Sequence, residues 1–129
     1  MIDTIERVKR LLTLHSAVEF AYLFGSQAKG SADAKSDWDI AVFFKKDPQK
    51  LPQWAVFYLE AEISGEVGSE VQIIALNNLE QPVFLFQIID NGLLLIDKNT
   101  EKRILFEVRV LSKYHDWQYF LRRHIGTHE

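Results

Sequence analysis

Two carboxylates one residue apart, Asp37 and Asp39, follow a glycine–serine pair, Gly25-Ser26, after a gap of ten residues. In an extended segment, residues two apart share a face and lie roughly 6–7 Å apart along it. At about 6 Å and an effective dielectric of about 20, their negative charges repel by about 3 kcal/mol. A cation or a protonated carboxyl relieves that repulsion. A hard divalent cation with oxygen ligands, Mg²⁺ first, suits the pair when a triphosphate sits opposite. Gly25 permits a tight turn and close approach of a ligand, Ser26 can cap a helical turn, and free backbone N–H groups there attract phosphate. The combination reads as a phosphate cradle facing a metal site.

These groups need a strand–turn–strand unit to hold them. Val18 to Phe24 is apolar and aromatic-rich, a buried strand that Gly25-Ser26 ends sharply. Residues 27–36, with Gly30, three alanines, Lys29 and Lys35, read as a basic loop after a short helical turn. Lys29 has two readings: a phosphate-steering cation or an ordinary exposed loop lysine. Asp37 to Phe44 is the second buried strand.

The remaining elements follow from periodicity and punctuation. Residues 3–15 predict a helix, with Asp3 and Glu6 as a capping box. Lys45 to Pro48 marks a turn. A helix over 52–63 carries Trp54, Phe57, Tyr58 and Ala61 on one face, and Gly65 and Gly68 mark a loop. Trp54 and Trp117 read as core anchors. Val71 to Leu76 is a third strand, Pro82 to Asp90 a helix stopped by Asn91-Gly92, Leu93 to Ile96 a fourth strand, and 100–125 one long helix. The expected fold is α/β, a small mixed sheet of about four strands flanked by helices.

The string Gly25-Ser26-Gln27-Ala28-Lys29-Gly30, then Ser36-Asp37-Trp38-Asp39-Ile40, resembles the signature of the DNA polymerase beta-like nucleotidyltransferase superfamily. It is most similar to the superfamily's smallest members, the minimal nucleotidyltransferases, over about residues 1–97. The resemblance implies a nucleotidyltransferase domain with Asp37 and Asp39 as catalytic metal ligands. Gly25, Ser26 and Lys29 would bind the nucleotide, with Mg²⁺ as cofactor and ATP as substrate. Such proteins are commonly antitoxins paired with HEPN ribonuclease toxins, which implies AMP transfer to a toxin tyrosine.

One departure stands out. The superfamily usually draws a third acidic residue from the next strand, and here the matching position is Gln72. Glutamine offers a carbonyl oxygen but neither charge nor basicity. Glu70, two residues earlier and on the same strand face, either reaches inward in its place or stands exposed at the strand end. The departure implies slower turnover, and it keeps open an antitoxin that acts by occlusion alone. A small-molecule nucleotidyltransferase is a third reading, disfavoured because such enzymes carry a further helical domain.

Composition narrows the rest. A chain of 129 residues, 47% hydrophobic and 26% charged, fits a single globular domain, 1–129. A net charge of −3 argues against general nucleic-acid binding. The absence of cysteine excludes disulfides and thiolate metal sites, and with no leader-like start or membrane-length apolar run it leads us to expect a cytoplasmic protein. In the last helix Phe106, Val110, Tyr114, Trp117 and Leu121 form one apolar stripe, and Ile104, Val108, Leu111 and Tyr119 a second. A helix apolar on two sides has two packing partners, its own sheet and another protein, or else is buried more deeply in its own domain. Arg109 and His115 resemble the Arg…His pair of HEPN ribonucleases, but one such pair in an α/β chain does not imply ribonuclease activity.

Overall fold

The computed structural model describes residues 2–30 and 37–125. The expectations for Lys35, Ser36 and the capping side chain of Asp3 lie outside the described residues. The elements run α1 (Ile2–Leu14), β1 (Val18–Phe24), α2 (Ser26–Lys29), β2 (Trp38–Phe44), α3 (Gln53–Val67), β3 (Val71–Ala75), α4 (Pro82–Asn91), β4 (Leu93–Asp97) and α5 (Thr100–His124). Short 3₁₀ turns at Pro48–Lys50 and Leu76–Asn78 fill two of the connections.

The four strands form one mixed sheet in the order β3-β2-β1-β4. β1 pairs antiparallel with β2 and with β4, whereas β2 and β3 are parallel. Parallel pairing requires a crossover, and α3 supplies it. β1 lies at the centre, and its first six residues are all buried. A strand covered on both faces reads as a continuous apolar run, which is how Val18 to Phe24 reads.

Alternation along β2 divides the core. Trp38, Ile40, Val42 and Phe44 pack with Val8 and Leu12 of α1 and Leu59 and Ile63 of α3. On the opposite face Phe20, Tyr22 and Ala41 pack with Leu85 and Ile88 of α4 and Val110 of α5. The side chain at position 39 belongs to this second face, two residues before Ala41.

Several expectations change. β2 begins at Trp38, so Asp37 stands just before the strand rather than in it. α3 continues through Gly65 to Val67, and Gly68, at φ 72°, ends it. Trp54, Phe57 and Tyr58 are 65%, 69% and 63% exposed, and the core side of α3 is Val56, Leu59 and Ile63. Trp117 is also exposed, at 37%, so neither tryptophan anchors the core. α3 is apolar around most of its circumference, and its periodicity therefore does not say which side faces inward. Gly92 follows α4 at φ −75°, outside the left-handed region. It is needed for closeness: a Cβ there would lie 2.2 Å from the Ile88 carbonyl oxygen.

α5 docks through its first half. Phe106 packs against the rings of Phe20 and Phe43, with centroids 5.5 Å away in both cases, and Tyr114 stacks on Phe86 at 3.9 Å. Arg103 bonds Asp97 at 2.8 Å and Glu107 at 3.1 Å, while the Tyr22 hydroxyl donates to Glu107. Asn99 caps the helix by accepting from the Lys102 N–H. Ile104, Val108, Leu111 and Tyr119 stay exposed, so among the described residues no other element covers the second stripe.

Candidate active site

The antiparallel register pairs Phe24 with Asp39, which brings the next residue of the turn, Gly25, against the Asp39 side chain. Gly25 adopts φ 75° and ψ −156°, a backbone region that is essentially glycine-only. A Cβ placed there would lie 2.6 Å from Asp39 Oδ2. The conformation demands glycine and its missing Cβ leaves room for the carboxylate, so the hairpin holds Asp39 and the turn's backbone in direct apposition.

α2 is a single turn, and Gly25, not Ser26, occupies its N-cap position with no side-chain cap. The expectation that Ser26 caps the turn is therefore corrected. Ser26 is the first helical residue and is exposed, which leaves its hydroxyl available to a ligand. Lys29 ends the turn, exposed, with its N–H on the Gly25 carbonyl at 3.3 Å.

Asp37 is exposed and Asp39 partly buried. Burial first, and then the neighbouring Asp37 charge, push the Asp39 carboxyl above the usual aspartate range. Both causes penalise the ionised form, and the attraction of a bound dication would outweigh both. Two oxygen-donor side chains under mutual repulsion suit a hard cation such as Mg²⁺.

The parallel register pairs Asp39 with Gln72, so Gln72 occupies the neighbouring position on the same face, exposed. The Glu70 carbonyl accepts from the Trp38 N–H at 2.9 Å, and Glu70 helps line a cleft of about 300 Å³ with Asp37, Gln72 and Glu60. Among the described residues no three acidic or histidine side chains converge to hold a metal ion.

Two groups at the site escaped the sequence reading. Glu60 Oε2 accepts from the Ile73 N–H at 2.8 Å and covers the free edge of β3 beside the cleft. Phe84, Gln87 and Asn91 of α4 line a second cavity with Gly25 and Lys29. Neither has a local motif, because each arises where separate elements meet. Arg109 and His115 lie exposed on α5 and line neither of these cavities among the described residues.

Residues 6–101 match the family model for polymerase beta nucleotidyltransferases. The chain belongs to that family. Within this nucleotidyltransferase family it is 30% identical, over 110 residues, to Protein adenylyltransferase MntA of Aphanizomenon flos-aquae (strain 2012/KM1/D3), covering 79% of this chain and 72% of that one. Among solved structures, it resembles a toxin–antitoxin with AMP-PNP at TM-score 0.72 and 25% identity, covering 97% of this chain and 95% of the other. It also shares the fold of the MNT antitoxin complex with tri-AMPylated Shewanella oneidensis HEPN toxin, at TM-score 0.71 and 23% identity, covering 98% and 96% of the two chains. No described helix is long and apolar enough to cross a membrane.

Proposed function

We propose that this nucleotidyltransferase neutralises a cognate HEPN ribonuclease toxin by transferring AMP from ATP to a toxin tyrosine. The apposition of Gly25 and Asp39 within the motif carries this reading, because it joins a phosphate-sized turn to a carboxylate pair. The likeness to an MntA adenylyltransferase and to a toxin–antitoxin with AMP-PNP supports the donor and the kind of partner.

Each residue has a defined task in this reading. Asp37 and Asp39 hold Mg²⁺, which when bound neutralises phosphate charge. The Gly25 and Ser26 N–H groups, the Ser26 hydroxyl and Lys29 hold the triphosphate. The acceptor's phenolic oxygen attacks the α-phosphorus in line, the bond to the bridging oxygen breaks, and pyrophosphate leaves with that electron pair. The phenol's proton passes to solvent, because Gln72 cannot accept it. Catalysis is positioning and charge stabilisation rather than covalent chemistry by the protein.

The acceptor must come from outside, and the exposed stripe Ile104, Val108, Leu111 and Tyr119 on α5 supplies an apolar surface for a partner. The test is incubation of the chain with Mg²⁺, α-labelled ATP and a purified HEPN toxin, with Asp39→Asn as control. Label on the toxin that disappears in the variant is the expected result, and an unlabelled toxin overturns the reading. Gln72 favours a second reading, neutralisation by occlusion alone. In that case Asp37→Asn and Asp39→Asn chains would protect against the toxin as well as the parent does.

A further inference from the structure

Gly25 has two sides. Asp39 and the acidic cleft of Asp37, Glu60 and Glu70 lie toward β3. On the other side, where α4 leads into β4, Gly25 and Lys29 border a cavity of about 220 Å³ whose described walls include Phe24, Phe84, Gln87 and Asn91. We propose that this cavity seats the nucleobase of the donor nucleotide, with Gln87 and Asn91 reading its hydrogen-bonding edge. The inference rests on the nucleotide-transfer reading above and adds how the donor is selected.

The lining decides the chemistry. Among the described residues that line it there is no carboxylate and the one charge is Lys29, in contrast to the acidic cleft across Gly25. A base is a flat, uncharged ring with donors and acceptors along its rim. Phe24 and Phe84 meet edge to face, with centroids 5.7 Å apart, and give an aromatic wall for such a ring. Gln87 and Asn91 are four residues apart on α4 and so lie on one side of the helix. Both are exposed, and their side-chain amides make no hydrogen bond to another described residue. Each amide offers a donor and an acceptor from one group, the pattern that matches the adjacent amino group and ring nitrogen of adenine.

Size and connection agree with this assignment. A volume of about 220 Å³ is below the range of roughly 300–1,000 Å³ typical of pockets that enclose a whole ligand. It suits one ring system, with the rest of the molecule outside. Lys29 and Gly25 border the cavity, so a base seated here would set its phosphates beside Ser26 and Asp39. The acidic cleft on the far side then stays free for the acceptor.

The experiment compares ATP with inorganic tripolyphosphate, which lacks base and sugar, as ligands of the full chain with Mg²⁺. Gln87→Leu and Asn91→Leu should each weaken ATP binding about fivefold while leaving tripolyphosphate affinity unchanged. Phe84→Ala should do the same, and the order of preference among ATP, GTP, CTP and UTP should flatten in the amide variants. Unchanged ATP affinity and selectivity in all three variants, with both ligands still bound, would overturn the base site and leave the transfer reading standing. Equal weakening of ATP and tripolyphosphate would also overturn it, as a general distortion of the turn. A parent chain that binds neither ligand would sink both readings.

Discussion

Asp39 and Gln72 stand in register on adjacent parallel strands, on one face of the sheet. Neighbouring strands lie about 4.8 Å apart, so a carboxylate at 72 would stand next to the Asp39 side chain. It would add a charge where the chain now has a neutral amide. We expect Gln72→Asp to raise the rate of AMP transfer and to make thermal stability depend more strongly on Mg²⁺. Single-turnover labelling measures the first effect. A rate that is equal or lower would show that the missing charge does not limit this enzyme.

Gly25 tests the other half of the motif. An alanine there combines a strained positive φ with a Cβ 2.6 Å from Asp39 Oδ2. The backbone cost is about 1–2 kcal/mol, and the carboxylate must move. Gly25→Ala should unfold at lower temperature and lose transfer by about 10²-fold or more, since small displacements of positioning groups cost that much. Full activity in the variant would mean that the contact is incidental.

The carboxylate pair should favour function over stability. Burial and Asp37 both hold the Asp39 carboxyl above its ordinary range, so its ionised form is a liability in the metal-free fold. Asp39→Asn removes it. Without Mg²⁺ the variant should melt no lower than the parent, yet transfer should fall by about 10²-fold or more. A clear loss of stability would instead make Asp39 a structural residue.

α5 is joined to the sheet by a polar network. The Tyr22 hydroxyl donates to Glu107, which also receives Arg103, and burial raises the Tyr22 pKa above the ordinary tyrosine range. Tyr22→Phe removes one donor and leaves Glu107 its arginine. Chemical denaturation should show a loss of about 1–2 kcal/mol, and Glu107→Ala should cost more, because it strands the Tyr22 hydroxyl and leaves Arg103 only Asp97.

Asp47 sets a pH dependence remote from the site. The Gln49 N–H, bonded to its carboxylate at 3.0 Å, and the Asn78 amide hold its pKa below the ordinary aspartate value. A carboxyl depressed in the folded state stabilises above the unfolded value, near 3.9, and that contribution is lost as pH falls through the folded value. Asp47→Ala should therefore melt slightly lower than the parent at neutral pH, with the gap closing in acid. A constant gap across pH would assign the effect to something other than ionisation.

Order and spacing carried much of this molecule. Gly25-Ser26, ten residues and Asp37-x-Asp39 were readable because each group acts locally: a turn that only glycine allows, and two carboxylates on alternate pleats. β1 was legible as a run with no polar interruption except Glu19, as a doubly covered strand must be. α3 was not legible in orientation. With apolar residues around most of it, either side could have faced the sheet, and Leu59 and Ile63 won while Trp54 and Tyr58 stayed in solvent.

By itself, then, the sequence determined the strands, the turn chemistry, the two acidic side chains beside it and the neutral residue on the next strand, because these depend on neighbours along the chain. Only the tertiary structure decided that Asp39 presses against Gly25, that Glu60 covers the edge of β3, and that Gln87 and Asn91 open onto the far side of the turn. Those relationships join residues from separate elements. They are set by strand register and helix packing, and no local spacing encodes either.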